Sequence, residues 1–176
     1  MDFAAIPKKA QSILTKPAQF FDSVKGEKGF NDALVYYAVL SVVGALPSIA
    51  FAPMAGLTMA AVTVVFSFII AFFIQIFLSL FKGTGKFEDT YRALAYGYTP
   101  GVFSSFTAFI PVIGFFVALG LFIYSVYLSA IGVSKYHGIS MGKAAAAIII
   151  PIIVVTFVVS FLFAGLLMAS MIGARY

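Results

Sequence analysis

Residues 33–81 read ALVYYAVLSVVGALPSIAFAPMAGLTMAAVTVVFSFIIAFFIQIFLSLF, 49 residues without one Asp, Glu, Lys, Arg or His. Two more such runs follow, 42 residues at 93–134 and 31 at 144–174. A soluble fold of 176 residues cannot cover apolar runs of that length. They read as bilayer-spanning helices, each needing about 20 residues. Pro53-Met54-Ala55-Gly56 breaks the first run into spans at 33–52 and 57–81. Ile110-Pro111-Val112-Ile113-Gly114 breaks the second into 93–109 and 115–133. The last run is one span, 144–172, with slack for tilt. Pro47, Pro100 and Pro151 fall inside spans, where each is expected to kink its helix.

The expected fold is therefore an all-α integral membrane protein of five transmembrane helices. A segment at 1–32 precedes one membrane domain at 33–176. The composition agrees, at 62% hydrophobic with mean hydropathy +1.10. With no cysteine, disulfides and thiolate chemistry are excluded. The first 32 residues carry charges throughout and no central apolar stretch, so no cleaved signal peptide is expected.

Charge sets the expected orientation. Ten of the 11 Lys and Arg residues fall on one side of this threading, and only Arg175 on the other. The positive-inside rule then puts the N-terminus in the cytoplasm and the C-terminus outside, in a multi-pass cell-membrane protein. The +5 net charge sits beside the spans, which points to anionic lipid headgroups and not to nucleic acid. Within 1–32, Ile6, Ala10, Ile13, Leu14, Phe20, Phe21 and Val24 recur near helical spacing, interleaved with Lys8, Lys9 and Lys16. That pattern predicts a broken amphipathic helix lying in the membrane surface, with Pro7 and Pro17 each beginning a piece.

Three segments carry a family likeness. They are Ile13-Leu14-Thr15-Lys16-Pro17-Ala18-Gln19-Phe20-Phe21, then Gly85-Lys86-Phe87-Glu88-Asp89-Thr90-Tyr91-Arg92 leading to Tyr96-Gly97-Tyr98-Thr99-Pro100, and finally Gly132-Val133-Ser134-Lys135 running to Lys143. In this order the chain resembles the Yip (Ypt-interacting protein) family of five-span membrane proteins, in particular its prokaryotic branch. In eukaryotes such proteins are associated with Rab-type GTPases and with vesicle or Golgi membrane organisation. The resemblance implies a non-enzymatic organising or adaptor role. The acidic-Leu-Tyr-Gly-Pro motif of eukaryotic members is absent.

No residue set demands a reaction, so no catalytic, cofactor or metal site is assigned. Lys82-Gly83-Thr84-Gly85-Lys86 lacks the Ser or Thr and the strand-to-helix setting of a phosphate loop and reads as a turn. His137, Glu88 and Asp89 make an incomplete metal set. Tyr124 lies about 15 Å from the Lys135 end, near the bilayer middle, where its hydroxyl needs a partner. Gln75, Tyr98, Tyr124 and Tyr127 are expected to form one polar cluster, as interhelical glue first and a ligand or headgroup pocket second. Gly97 and Gly101, and Gly165, Ala169 and Gly173, are small residues four apart that let helices approach. The second stripe is read as internal packing or as a homo-oligomer face. A protein partner gripping the cytoplasmic loops, a small permease for an uncharged solute, and an accessory subunit of a larger complex stay open.

Overall fold

The computed structural model describes residues 3–27, 29–110 and 112–173, and every regular element among them is helical. A 3-10 turn at Phe3–Ala5 leads into α1 (Ile6–Thr15) and α2 (Pro17–Ser23). Then come α3 (Asn31–Phe51), α4 (Pro53–Leu80) and α5 (Phe87–Gly97). A 3-10 helix (Thr99–Phe109), α6 (Ile113–His137) and α7 (Met141–Gly173) complete the order. Of these, α3, α4, α6 and α7 are long and apolar enough to cross a membrane. Their outward side chains, among them Phe66, Phe72, Phe116 and Phe157, are exposed, which suits hydrocarbon and not water.

The break expected at 53–56 is tighter than that. Ala52 alone reverses the chain, and Pro53 opens α4 at a position where its missing N–H is no loss. Gly56 makes the close return possible: a Cβ there would stand 2.5 Å from the Ile49 nitrogen. Pro47 and Pro151 remain inside α3 and α7.

The expected span at 93–109 takes a different form. An α-helix begins earlier, at Phe87, stops at Gly97, and continues as a 3-10 helix from Thr99 to Phe109. The cause is local. Pro100 has no N–H to give the Tyr96 carbonyl four residues back, and the Thr99 hydroxyl takes that carbonyl instead at 2.6 Å. Beyond it, the hydroxyls of Ser104 and Thr107 each donate to the carbonyl three residues earlier at 2.7 Å. Runs of 3-10 helix are usually only three or four residues. Here the i−3 side-chain bonds and a neighbouring helix sustain a longer one.

That neighbour is α6, which runs antiparallel to α5 and the 3-10 helix. Glycines set the spacing: a Cβ on Gly132 would stand 2.9 Å from that of Ala93, one on Gly97 would stand 2.7 Å from the Ser129 nitrogen, and one on Gly114 would overlap the Thr107 carbonyl. α6 closes in a left-handed Gly138 (φ 66) before α7 begins.

Lys28, Pro111 and Arg175 lie outside the described residues, as do the side-chain surroundings of Ala169 and Gly173. Gly165 has open space on its Cβ side.

Candidate functional site

The charged end of the bundle, where the 82–86 and 138–140 turns lie, carries a joint built from all the elements that meet there. Asp89, in the first turn of α5, accepts the Lys86 N–H at 2.8 Å and so caps that helix, where negative charge is favoured. One turn on, Arg92 is buried, its side chain 5% exposed. Its guanidinium donates to Asp89 at 2.5 Å and to the backbone carbonyls of Val24 and Glu27, and lies over the Tyr136 ring. Arg92 thus bolts the end of the N-terminal segment onto α5. From the sequence Arg92 is a topology charge and, with Lys82 and Lys86, a pairing partner open to Glu88 and Asp89. Its bonds to the Val24 and Glu27 carbonyls are what the sequence does not disclose.

Tyr96 is the second fastening. Its ring packs edge-on against Phe20 and Tyr36, at 5.1 and 5.3 Å between centroids. Lys9 sits 5.0 Å over the ring and donates to its hydroxyl at 3.3 Å. The hydroxyl in turn donates to Glu27 at 3.4 Å. Ile13, Phe20, Phe21 and Val24 are buried. Their apolar stripe therefore faces protein, where a surface helix would turn it to lipid. Lys9 is drawn inward, while Lys8 and Lys16 remain exposed. Lys135 reaches back to Asp22 at 2.5 Å.

A third fastening holds the loop that resembled a phosphate turn. Gly83 and Gly85 lie against the His137 ring, so close that a Cβ on Gly85 would stand 2.9 Å from it. His137 is fully buried. Its Nε2 lies 2.8 Å from the Thr90 hydroxyl, which donates to the Gln75 carbonyl oxygen. Gln75 gives its amide to the Gly85 carbonyl at 3.2 Å. Since the single Thr90 proton goes to Gln75, Thr90 accepts from His137, whose Nε2 therefore carries a proton. Among the described residues, no group of three His, Cys, Asp or Glu is placed to hold a metal ion.

The polar cluster expected from the sequence is not one cluster. Gln75 belongs to the His137 network. Tyr98 packs against Tyr37 at 5.0 Å. Tyr124 donates to the Leu14 carbonyl at 2.7 Å, satisfying an orphan acceptor at the end of α1, and stacks on Tyr127. Tyr127 is half-exposed. Spacing along the chain puts Gln75 and Tyr98 somewhat shallower than Tyr124 on the same side of the membrane, but it does not say which side of the bundle each residue faces. Tyr124→Phe is expected to cost about 1 kcal/mol and to speed amide exchange in α1, whereas Tyr127→Phe leaves both unchanged. Thermal unfolding and hydrogen exchange in detergent read the two effects.

A cavity of about 280 Å³ lies deeper in the bundle. Tyr37, Leu94, Ala95 and Gly101 form its floor, with Ile70 and Ile74 of α4 on one wall. Phe122, Ser125 and Val126 of α6 form the other wall, and Ile148 and Ile152 of α7 cross one end. Of the lining residues, Ile70 and Phe122 are nearly half exposed at 45% and 46%, while Ala95 is 2% exposed. The buried Ser125 hydroxyl has no hydrogen-bond partner.

Each residue of the Tyr96-Gly97-Tyr98-Thr99-Pro100 stretch now has a physical task. Tyr96 receives the N-terminal helices, Gly97 admits α6, and Tyr98 lines the cavity. Thr99 and Pro100 convert the helix. No curated protein and no solved structure matches the chain. A model of the Yip1 domain matches residues 12–163, nearly the whole length, and takes in the joint, the broken helix and the cavity. This chain belongs to the Yip1 domain family.

Proposed function

We propose that the protein is a non-enzymatic membrane organiser of the adaptor type, crossing the bilayer five times with its N-terminus in the cytoplasm. The fifth crossing is α5 with the 3-10 helix, which accompanies α6 from Gly132 to Gly114, a rise of about 27 Å, close to the roughly 30 Å of hydrocarbon. An element lying beside α6 over that distance emerges on the far side. The missing acidic-Leu-Tyr-Gly-Pro motif favours the prokaryotic branch.

One observation carries the adaptor reading. α1 and α2 are fastened to the charged end as a fixed bracket, where a loose tail would be free to move. Tyr124, which holds the end of α1, is about 20 Å from the end of α6, so α1 lies along the flank of the bundle within one leaflet. Its exposed Lys8, with Lys25 after α2, reaches from there toward anionic headgroups, while Lys16 stands at the deep end of α1. A rigid basic ledge on one side suits docking of a partner at the membrane surface. A permease built on Gln75, Tyr98, Tyr124 and Tyr127 loses its basis, because those side chains serve separate contacts.

The test is capture from native membranes. Wild-type protein is expected to bring down a stoichiometric partner, and the Lys8→Glu, Lys16→Glu, Lys25→Glu variant to lose it with its melting temperature unchanged. Equal capture by the variant, or flux of glycerol through proteoliposomes, contradicts the reading.

A further inference from the structure

We infer that the 82–86 loop is an acid-released latch whose sensor is His137. His137 is the one histidine of the chain, and it stands past the 115–133 span, at the charged end of α6. Hydrogen bonds shut the loop over it. The N–H and the hydroxyl of Thr84 both donate to the His137 carbonyl, at 3.1 and 3.3 Å. The Gly83 N–H donates to the Leu78 carbonyl at 2.9 Å. A Cβ on Gly83 would stand 3.0 Å from the ring nitrogen Nδ1, so the two glycines press the loop onto the imidazole. The closure is strained at one point. Lys82 takes φ 62, in the left-handed region that favours glycine.

The closed site has a place for one ring proton. Nε2–H donates to Thr90 at 2.8 Å, while Nδ1 is buried with no hydrogen-bond partner among the described residues. A second proton would put a cationic N–H against no acceptor, and a buried unpaired charge is costly. The latch therefore closes on a neutral ring. Burial pushes the imidazole pKa down from its ordinary value, against a smaller upward pull from Asp89.

The surrounding charges do not supply the missing acceptor. Asp89 of α5 is engaged by Arg92 and by the Lys86 N–H. Glu88 of α5, Lys82 and Lys86 of the loop and Lys143 of α7 are exposed. On α6 itself, Lys135 reaches Asp22 and Tyr136 lies under Arg92, while α4 presents the uncharged Gln75.

Opening the loop lets water reach the ring, which then protonates near the ordinary value of about 6.5. The latch is fully held above that pH and weakens as pH falls below it. One unit below, linkage raises the open population by up to about tenfold.

This inference does not depend on the adaptor reading. It is tested on the full chain in phosphatidylcholine nanodiscs at about pH 7.5 and about pH 5.5. Amide exchange, corrected for the intrinsic rate at each pH, is followed together with nitrogen-15 NMR of the single histidine. At the higher pH the ring is expected to be neutral with its proton on Nε2. At the lower pH protection of the Gly83 and Thr84 amides is expected to fall by up to about tenfold, while Leu128 in α6 keeps its protection. His137→Gln, which retains an N–H but does not titrate, removes the difference between the two pH values. Loosening that persists in His137→Gln would trace to the carboxylates and overturn the proposal. If that variant fails to fold, the wild-type ring decides, because its charged signal has to rise in step with exchange at Gly83 and Thr84. A ring that becomes charged while both amides stay protected, or an Nδ1–H at the higher pH, overturns the latch.

Discussion

Arg92→Met is expected to lower the melting temperature of the purified protein by about 10 °C, the equivalent of about 3 kcal/mol. The variant leaves the Val24 and Glu27 carbonyls without their donor and Asp89 without its counter-ion. Breaking a buried pair from one side costs more than the pair contributes, because the remaining groups stay desolvated. Asp89 is 24% exposed, so water recovers part of the loss and the lower end of the usual 3–5 kcal/mol range applies. Arg92→Lys does not restore stability, since an ammonium cannot serve two carbonyls and a carboxylate from one planar fork. The accompanying sign is local. Amide exchange rises in α1 and α2 while α6 and α7 stay protected. Uniform loss of protection would mean that the bracket and the bundle are one cooperative unit.

Gly97→Ala is expected to be at least as damaging, by about 3 kcal/mol or more. The added methyl meets the backbone of Ser129, 2.7 Å from its nitrogen and 2.8 Å from its Cα. No rotamer change relieves a backbone contact, so Ser129→Ala does not rescue it. The adjustment open to the protein is to move α6 away from α5, which also widens the cavity beside Ser129. Gly120→Ala on α6 itself is the internal control. Its Cβ meets nothing within 4 Å, and the higher helix propensity of alanine adds up to about 1 kcal/mol. Thermal unfolding of the two variants in one detergent reads both signs.

These two sites divide what the sequence discloses from what it conceals. The long uncharged runs and the turn at Pro53 were legible because hydrocarbon demands length and apolarity, and both are one-dimensional properties. Gly97 was legible as a close crossing, since a small residue has little other use inside a helix. The neighbour was not, because spacing along one helix does not say which helix approaches. The N-terminal stripe failed in the same manner. Ile13, Phe20 and Phe21 announced an apolar face, but lipid and protein ask for the same residues there, and the structure turns that face to Tyr96 and Tyr136. Pro100 marked a disturbance in the helix expected at 93–109. What followed it depended on Thr99 taking up the Tyr96 carbonyl and on α6 supporting a 3-10 helix, which involves contacts distant in sequence.

Single-cysteine labelling in intact cells tests the whole threading, because the chain has no cysteine of its own. Ala52→Cys and Ile110→Cys mark the two ends joined by single-residue and short turns, and Glu88→Cys and Lys143→Cys mark the charged end. A membrane-impermeant maleimide added outside is expected to label the first pair and spare the second. Labelling at Ala52 without Ile110 would mean that α5 and the 3-10 helix turn back before crossing, and the five-crossing bundle would be wrong.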